Sequence, residues 1–311
     1  NEVINHMEVD LLYQESIVMS SNTGLFRLDL SEHVVYPMID AHGRNMINIS
    51  WYPSFAQMDN YKILLVDGSK HCLKLFGRVL NEEPVTLVGL CGHRGYSNGL
   101  IQTAQFNFPV TLVKDPSKKT FYLTENFYIR RITFDDIDLV STELRHDNHV
   151  ILGLAINFEQ HIGFYTTHNR LHKFNLLNSR HSIEAVSMGE EIGHLDGKLN
   201  EAKFDNPQKI ALLDARTIIV AEPNNKCLRV IDLNAGNASS VCNRRERPSG
   251  TYTTGNIRSC QLVAPQSLVY TKNQSTVLIG DYGKIMALDF DTGRLSRLSS
   301  DIKRPQCEAM L

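Results

Sequence analysis

An internal repetition constrains the fold of this chain most strongly. Asn98-Gly99, followed after four residues by Ala104 and then by Phe106 and Pro109, recurs at the same spacing as Asp196-Gly197, Ala202, Phe204 and Pro207. After each proline comes an apolar segment, then a second one ending in an acidic residue, then a third carrying a basic residue. In the first copy these are Tyr122-Leu123-Thr124-Glu125 and Ile129-Arg130; in the second, Ile219-Val220-Ala221-Glu222 and Leu228-Arg229. A weaker third copy keeps Pro265, Leu278-Ile279-Gly280-Asp281 and Ile285-Met286-Ala287-Leu288-Asp289. A unit of this size cannot bury its apolar faces alone, so repetition implies that successive units stack on one another.

Between these anchors the apolar residues run in short stretches of Val, Ile, Leu, Phe and Tyr broken by Gly, Asn, Asp and Pro, the grammar of strands and turns. Only 182–191 and 200–204 could hold a turn of helix. Degenerate copies fall at 17–29, 63–76 and 162–174. Second-segment markers near residues 17, 63, 120, 162, 217 and 276 then divide the chain into six units of roughly 50 residues, the size of a four-stranded blade with its loops.

The two full copies resemble the NHL repeat, which combines a glycine-led turn, an Ala-x-Phe-x-x-Pro segment and an acidic–basic strand pair. The resemblance implies an all-β chain, a six-bladed β-propeller of four-stranded antiparallel blades closed into a single domain over residues 1–311. It also implies that Glu125 pairs with Arg130 and Glu222 with Arg229 as blade supports, Asp281 holding the equivalent acidic position, in preference to catalytic roles. Lys209 and Thr111 stand where the family favours glycine, which marks a divergent member. An antiparallel sandwich with accidental repetition is the alternative architecture.

Composition narrows the function classes. A net charge of −2 over 311 residues gives no overall basic footprint, so no nucleic-acid partner is expected. The longest apolar run, 150–158, is about half of what a bilayer-spanning helix requires, so no direct membrane insertion is expected. The sequence has no phosphate-binding glycine loop and no G-x-S-x-G elbow. His146, His149, His168 and His172 show no recognised metal-ligand spacing, and neither a metal nor another cofactor is expected.

The six cysteines point to an oxidising compartment. Cys72 with Cys91, and Cys227 with Cys242, each flank a candidate hairpin in register, as a cross-strand bond requires. Cys260, in the place of the repeat alanine, and Cys307 in the tail make a third expected pair, Cys260–Cys307. No cysteine shows C-x2-C or Cys/His zinc spacing. Sequons at Asn48, Asn237 and Asn273 agree with a secretory history, Asn237 and Asn273 lying in expected turns. An extracellular location follows as the expectation, either as a secreted protein or as the ectodomain of a membrane protein.

Propellers place function on loops held by a rigid scaffold. The largest insertion, 243–259, carries Arg244, Arg245, Arg247, Tyr252 and Arg258. The counterpart segment 91–99 carries His93, Arg94 and Tyr96. Arg and Tyr are favoured interface anchors because both join contact area to directional hydrogen bonding. The sequence therefore reads as a non-enzymatic, extracellular protein-recognition module that binds a protein ligand or receptor through its loop-rich face. Two alternatives stand beside it: a metal-dependent lyase or hydrolase with its site at the central channel, and an RNA-binding NHL domain.

Overall fold

A computed structural model describes residues 3–10, 16–21, 24–38, 54–77, 84–134, 137–146, 149–177, 183–187, 189, 191–242, 252–271 and 275–299. The second strand of each unit is buried almost throughout and apolar at its centre, as a strand must be when both of its faces are covered. In three units all six of its positions are buried: Ser16–Ser21, Thr120–Glu125 and Thr276–Asp281. Six antiparallel sheets result. Blade 1 is Ile4–Val9, Ser16–Ser21, Leu25–Asp29 and Val34–Pro37; blade 2 is Phe55–Gln57, Lys62–Asp67, Cys72–Gly77 and Val85–Val88. Blade 3 is Pro109–Lys114, Thr120–Glu125, Tyr128–Thr133 and Leu139–Arg145; blade 4 is Leu154–Asn157, Ile162–Thr166, Leu171–Asn175 and Glu184–Ala185. Blade 5 is Ile210–Leu212, Thr217–Glu222, Cys227–Asp232 and Asn237–Val241; blade 6 is Pro265–Thr271, Thr276–Asp281, Lys284–Asp289 and Arg294–Ser299. The chain is a six-bladed β-propeller.

The repeat motif has a structural reason. Its glycine pair starts a short fifth strand, Gly99–Leu100, Gly197–Lys198 or Gly255–Asn256, which hydrogen-bonds to the outermost strand of the blade that follows. Gly99, Gly197 and Gly255 have φ of 133°, 126° and 119°, backbone that a Cβ resists. Ala104 and Phe106 then plug the seam between blades 2 and 3, and Ala202 and Phe204 the seam between blades 4 and 5. Neither 182–191 nor 200–204 forms a helix where described, and the one helical element among the described residues is the 3-10 turn Gly68–Lys70. No helix there is long and apolar enough to cross a membrane.

The ring closes by packing. Ile4, Met7, Ile17 and Phe26 of blade 1 share a core with Leu278, Ile285 and Ala287 of blade 6. Side chains near the axis add rungs between neighbours. Gln57 Nε2 donates to Val9 O at 2.6 Å, the Leu112 amide to Ser54 Oγ at 3.1 Å, and Thr166 Oγ1 to Gln208 O at 3.3 Å. Turns between second and third strands and the segments between blades share one face of the ring, because strand direction alternates from the axis outward.

Two of the expected disulfide pairings are corrected. Cys72–Cys91 forms, with Cα atoms 5.0 Å apart, but the second bond is Cys242–Cys260, at 4.3 Å. Cys227 is therefore a free buried thiol, and neither Cys227–Cys242 nor Cys260–Cys307 exists. The ladder between third and fourth strands stops at Leu228–Val241; Cys242 then takes a left-handed φ of 55° and turns into the seam between blades 5 and 6, where Cys260 lies. Cys307 falls outside the described residues, as do Asn48 and Asn273. Asn237 is exposed at the start of its strand, on the face opposite the disulfides.

Candidate functional site

Two places concentrate polar or exposed chemistry. The first is a cavity of about 250 Å³ at the axis, lined by Asn5, Val110, Leu152, Asn206, Gln208, Lys209 and Gln266. Lys209 and Thr111, the two departures from the repeat's glycine, meet beside it: Lys209 Nζ donates to Thr111 Oγ1 at 3.2 Å. Burial holds the Lys209 ammonium down to about 8. Gln266 Oε1 has no hydrogen-bond partner in the protein. The lining offers amides and an ammonium, with no carboxylate, imidazole or thiol among its side chains, so it lacks the nitrogen and sulfur ligands that zinc uses.

A buried ammonium held by one hydroxyl disfavours the folded state. Its pKa lies below the unfolded value of about 10.4, so the unfolded chain binds the extra proton and stability rises with pH between about 8 and 10.4. Lys209→Met is expected to stabilise the protein at pH 7 by on the order of 2 kcal/mol and to flatten that rise, read by urea unfolding at pH 7 and 9.5.

The second place is the disulfide-bearing face at the junction of blades 2 and 3. Cys72–Cys91 ties the inter-blade segment to the start of a strand, and the Gly92 and Gly95 amides donate to Lys70 O at 2.7 Å and Phe106 O at 3.0 Å. His93, Arg94 and Tyr96 project from the segment so fixed, all three exposed. The Arg94 guanidinium lies 5.4 Å from the centre of the Phe108 ring, and Phe108 meets His71 edge-on at 4.6 Å. The Phe108 amide donates to His71 Nδ1 at 3.1 Å, which sets that imidazole's tautomer. Tyr96 packs on Tyr128 at 4.8 Å, its hydroxyl accepts from Asn126 Nδ2 at 3.1 Å and from Asn107, and Arg145 lies 5.8 Å from the Tyr128 ring centre. Leu90, Tyr96, Phe108 and Phe127 all stay exposed.

Phe108 and Tyr282 are both exposed aromatic residues on left-handed backbone, and Phe108 is the one that lies in this cluster. It is 46% exposed and has φ of 53°, a left-handed conformation that costs a non-glycine residue roughly 1–2 kcal/mol. The matching residue of the second motif copy is Asn206, with φ of 54°, one of the residue types that tolerate this backbone. An exposed aromatic in strained backbone is unfavourable on both counts, the pattern expected at a binding site.

The other anticipated cluster is only partly in view. Arg244, Arg245 and Arg247 lie outside the described residues. Tyr252 is half-buried against the core of blades 5 and 6; its hydroxyl accepts from Arg297 at 3.0 Å and Lys284 Nζ lies 5.2 Å from its ring centre, so packing uses much of it. Arg258 is exposed. Blades 3 and 6 lie opposite each other in a ring of six, so the described members Tyr252 and Arg258 stand across the ring from His93, Arg94 and Tyr96. His71, Phe108, Phe127, Tyr128 and Arg145 were not singled out from the sequence, although a Phe in one motif copy against Asn in the other was a readable signal.

No protein-family model matches the chain, and no curated protein sequence does. Solved structures do. An auxiliary nutrient binding protein from Bacteroides thetaiotaomicron superposes with a TM-score of 0.70 at 10% identity, over 96% of this chain and 69% of that one. A protein of the same description from Bacteroides ovatus gives 0.69 at 14%, over 95% and 69%. A chain of the nidogen/laminin complex gives 0.52 at 14%, over 80% and 78%. The likeness is one of fold. The expected Glu125–Arg130 and Glu222–Arg229 pairs are present, all four side chains fully buried.

Proposed function

We propose that this chain is a divergent NHL-like propeller that acts outside the cytoplasm as a protein-recognition module, binding its partner through the blade 2–3 sector of the disulfide-bearing face. The observation that carries the reading is Phe108: exposed, held in strained backbone, and flanked by Arg94 and His71 on a segment fastened by Cys72–Cys91. Such a patch is pre-organised, which lowers the ordering cost of association. Arg94, Arg145 and the neighbouring aromatic rings suit a protein segment bearing carboxylates and aromatic side chains. Two disulfides support an oxidising location, and the fold likeness to a chain of the nidogen/laminin complex is compatible with one. The reading assigns the chain no catalytic step.

The test uses a panel of purified secreted and cell-surface proteins presented to the wild-type chain and to Phe108→Asn by surface plasmon resonance. A protein that binds the wild type saturably is expected to lose at least tenfold in affinity to the variant. The same substitution is expected to raise folding stability by up to about 1 kcal/mol, since asparagine relieves the left-handed strain. Unchanged affinity in Phe108→Asn, or binding to RNA that falls steeply with salt, overturns the assignment.

A further inference from the structure

We propose that blade 5 carries a zinc-class metal site formed by Cys227, His194 and Glu222, outside the blade 2–3 recognition sector. Cys227 opens the third strand of the blade opposite Glu222, and His194 comes from the segment that leads into the blade's fifth strand. Cys227 Sγ lies 3.9 Å from His194 Nδ1 and 3.8 Å from Glu222 Oε2, and the three ligand atoms all lie within 4.8 Å of one another. Tetrahedral zinc, with sulfur at about 2.3 Å and nitrogen or oxygen at about 2.0–2.1 Å, spaces its ligand atoms about 3.5 Å apart. The two sulfur-centred pairs therefore need to close by only roughly 0.3–0.4 Å.

The contacts around His194 favour the ligating tautomer. Its Nε2 lies 3.0 Å from Ser240 Oγ, and the Ser240 hydroxyl gives its proton to Asp196 Oδ1 at 2.8 Å. Ser240 Oγ can then only accept from Nε2–H, which leaves the lone pair on Nδ1, the atom that faces the sulfur. A metal-bound imidazole needs this arrangement of its outer nitrogen.

Comparison of the blades with one another shows what is special here. Aligned on Gly99 and Gly197 and on the strand ladders, His194 takes the place of Tyr96, Cys227 that of Tyr128, and Asp196 that of Asn98. In blade 3 the two tyrosine rings pack on each other at 4.8 Å, and Arg130 faces Glu125 and the neutral Asn98, whose Oδ1 accepts from it at 2.8 Å. In blade 6 the slot holds Tyr252 and Lys284. Blade 5 keeps the same arginine and acid but sets two ligand-type side chains in the slot. It also places Arg229 between two carboxylates, Glu222 at 3.2 Å and Asp196 at 3.1 Å. One negative charge is in excess; loading a divalent ion, with the thiol proton released to solvent, brings the cluster to neutrality. One thiolate, one imidazole and one carboxylate favour zinc over calcium or magnesium, with water in the fourth position.

Cobalt(II) is the probe, added to the folded chain in a Cys307→Ser background so that the only thiol outside the two disulfides is Cys227. The expected result is one cobalt per chain, a thiolate-to-cobalt charge-transfer band that zinc abolishes, and a melting temperature raised by zinc. Cys227→Ser should remove the band. His194→Tyr, which restores the blade 3 residue, should weaken binding at least tenfold, and Asp196→Asn about 10- to 100-fold with the band retained. Circular dichroism establishes that each variant folds, and His194→Tyr and Asp196→Asn keep the question open to test should Cys227→Ser not fold. A wild-type chain that shows no such band at saturating cobalt, a band that survives Cys227→Ser, undiminished affinity in His194→Tyr, or a thiol count showing Cys227 bonded to Cys307 in the natural chain overturns the site.

Discussion

Arg130→Met is expected to cost about 3–5 kcal/mol of folding stability, because it leaves a fully buried carboxylate without its counter-charge. The guanidinium donates to Glu125, to Gln105 O at 3.3 Å, to Ser97 O at 3.0 Å and to Asn98 Oδ1 at 2.8 Å, and lies 5.4 Å from the centre of the Phe106 ring. It thus ties the motif segment to the strand pair, and its loss removes a donor from three acceptors, of which Asn98 Oδ1 keeps Thr142 and Ser97 O keeps the Gln105 amide, as well as stranding one charge. Burial already raises the Glu125 carboxyl to about 7 with Arg130 present. Without the arginine it rises further, so the folded variant binds a proton that the unfolded chain, with a carboxyl near 4.3, does not. Stability gained in this way is present at low pH and lost as pH rises through the folded value. The deficit of Arg130→Met relative to wild type should therefore shrink from pH 8 to pH 5, and adding Glu125→Gln should recover about half of it at pH 8. Urea melts of wild type and both variants read all three effects; a loss under 1 kcal/mol at pH 8 would show that the pair is not a support.

The repetition made the architecture readable. Markers near 17, 63, 120, 162, 217 and 276 fall in second strands that begin at Ser16, Lys62, Thr120, Ile162, Thr217 and Thr276. Those strands are legible because covering both faces forces an unbroken apolar run. The Glu–Arg pairs were legible through the resemblance to the NHL repeat, whose acidic residue supports the blade by pairing with the arginine that follows, and burial of all four side chains agrees with that role. The Cys227–Cys242 pairing failed because register extrapolated by one residue ignored the left-handed φ of 55° at Cys242. The Cys227, His194 and Glu222 grouping was invisible to spacing rules, since His194 and Cys227 are brought together by the fifth strand rather than by a local turn. Phe108 needed the two motif copies compared position by position.

The same slot at the end of the second strand takes different chemistry around the ring. It holds Asp67 with Lys74 at 2.8 Å in blade 2, Glu–Arg in blades 3 and 5, and in blade 6 Asp281, whose oxygens accept from the Val263 and Ala264 amides, with Met286 in the arginine position. An acid there requires some donor, either a cation across the ladder or backbone amides. Blade 4 removes the requirement by using Thr167 and His172, a neutral pair at 3.2 Å.

That neutral pair is expected to weaken the protein in acid, as is His6, whose pKa burial also lowers. His172 is 4% exposed and stacks on Tyr165 with ring centroids 4.8 Å apart. His146 lies 5.0 Å from it, and His149 lies 5.3 Å from His146. Burial above all, and then the charges of His146, Arg170 and His149, hold the His172 pKa down to about 3. In the unfolded chain the same imidazole titrates near 6.5, so below that pH the unfolded state takes up a proton that the folded state refuses. The sign is a loss of stability on acidification: the His172 contribution is fully present above about 6.5 and falls by about 1.4 kcal/mol per pH unit toward 3, or about 3 kcal/mol by pH 4.3. His172→Phe keeps an aromatic ring for Tyr165 and cannot be protonated, at the cost of the Thr167 hydrogen bond, worth about 1 kcal/mol at any pH. Its urea midpoint should therefore lie below that of wild type at pH 7.5 and above it at pH 4.5. Parallel pH profiles for the two proteins would place the acid-labile group elsewhere in the ring.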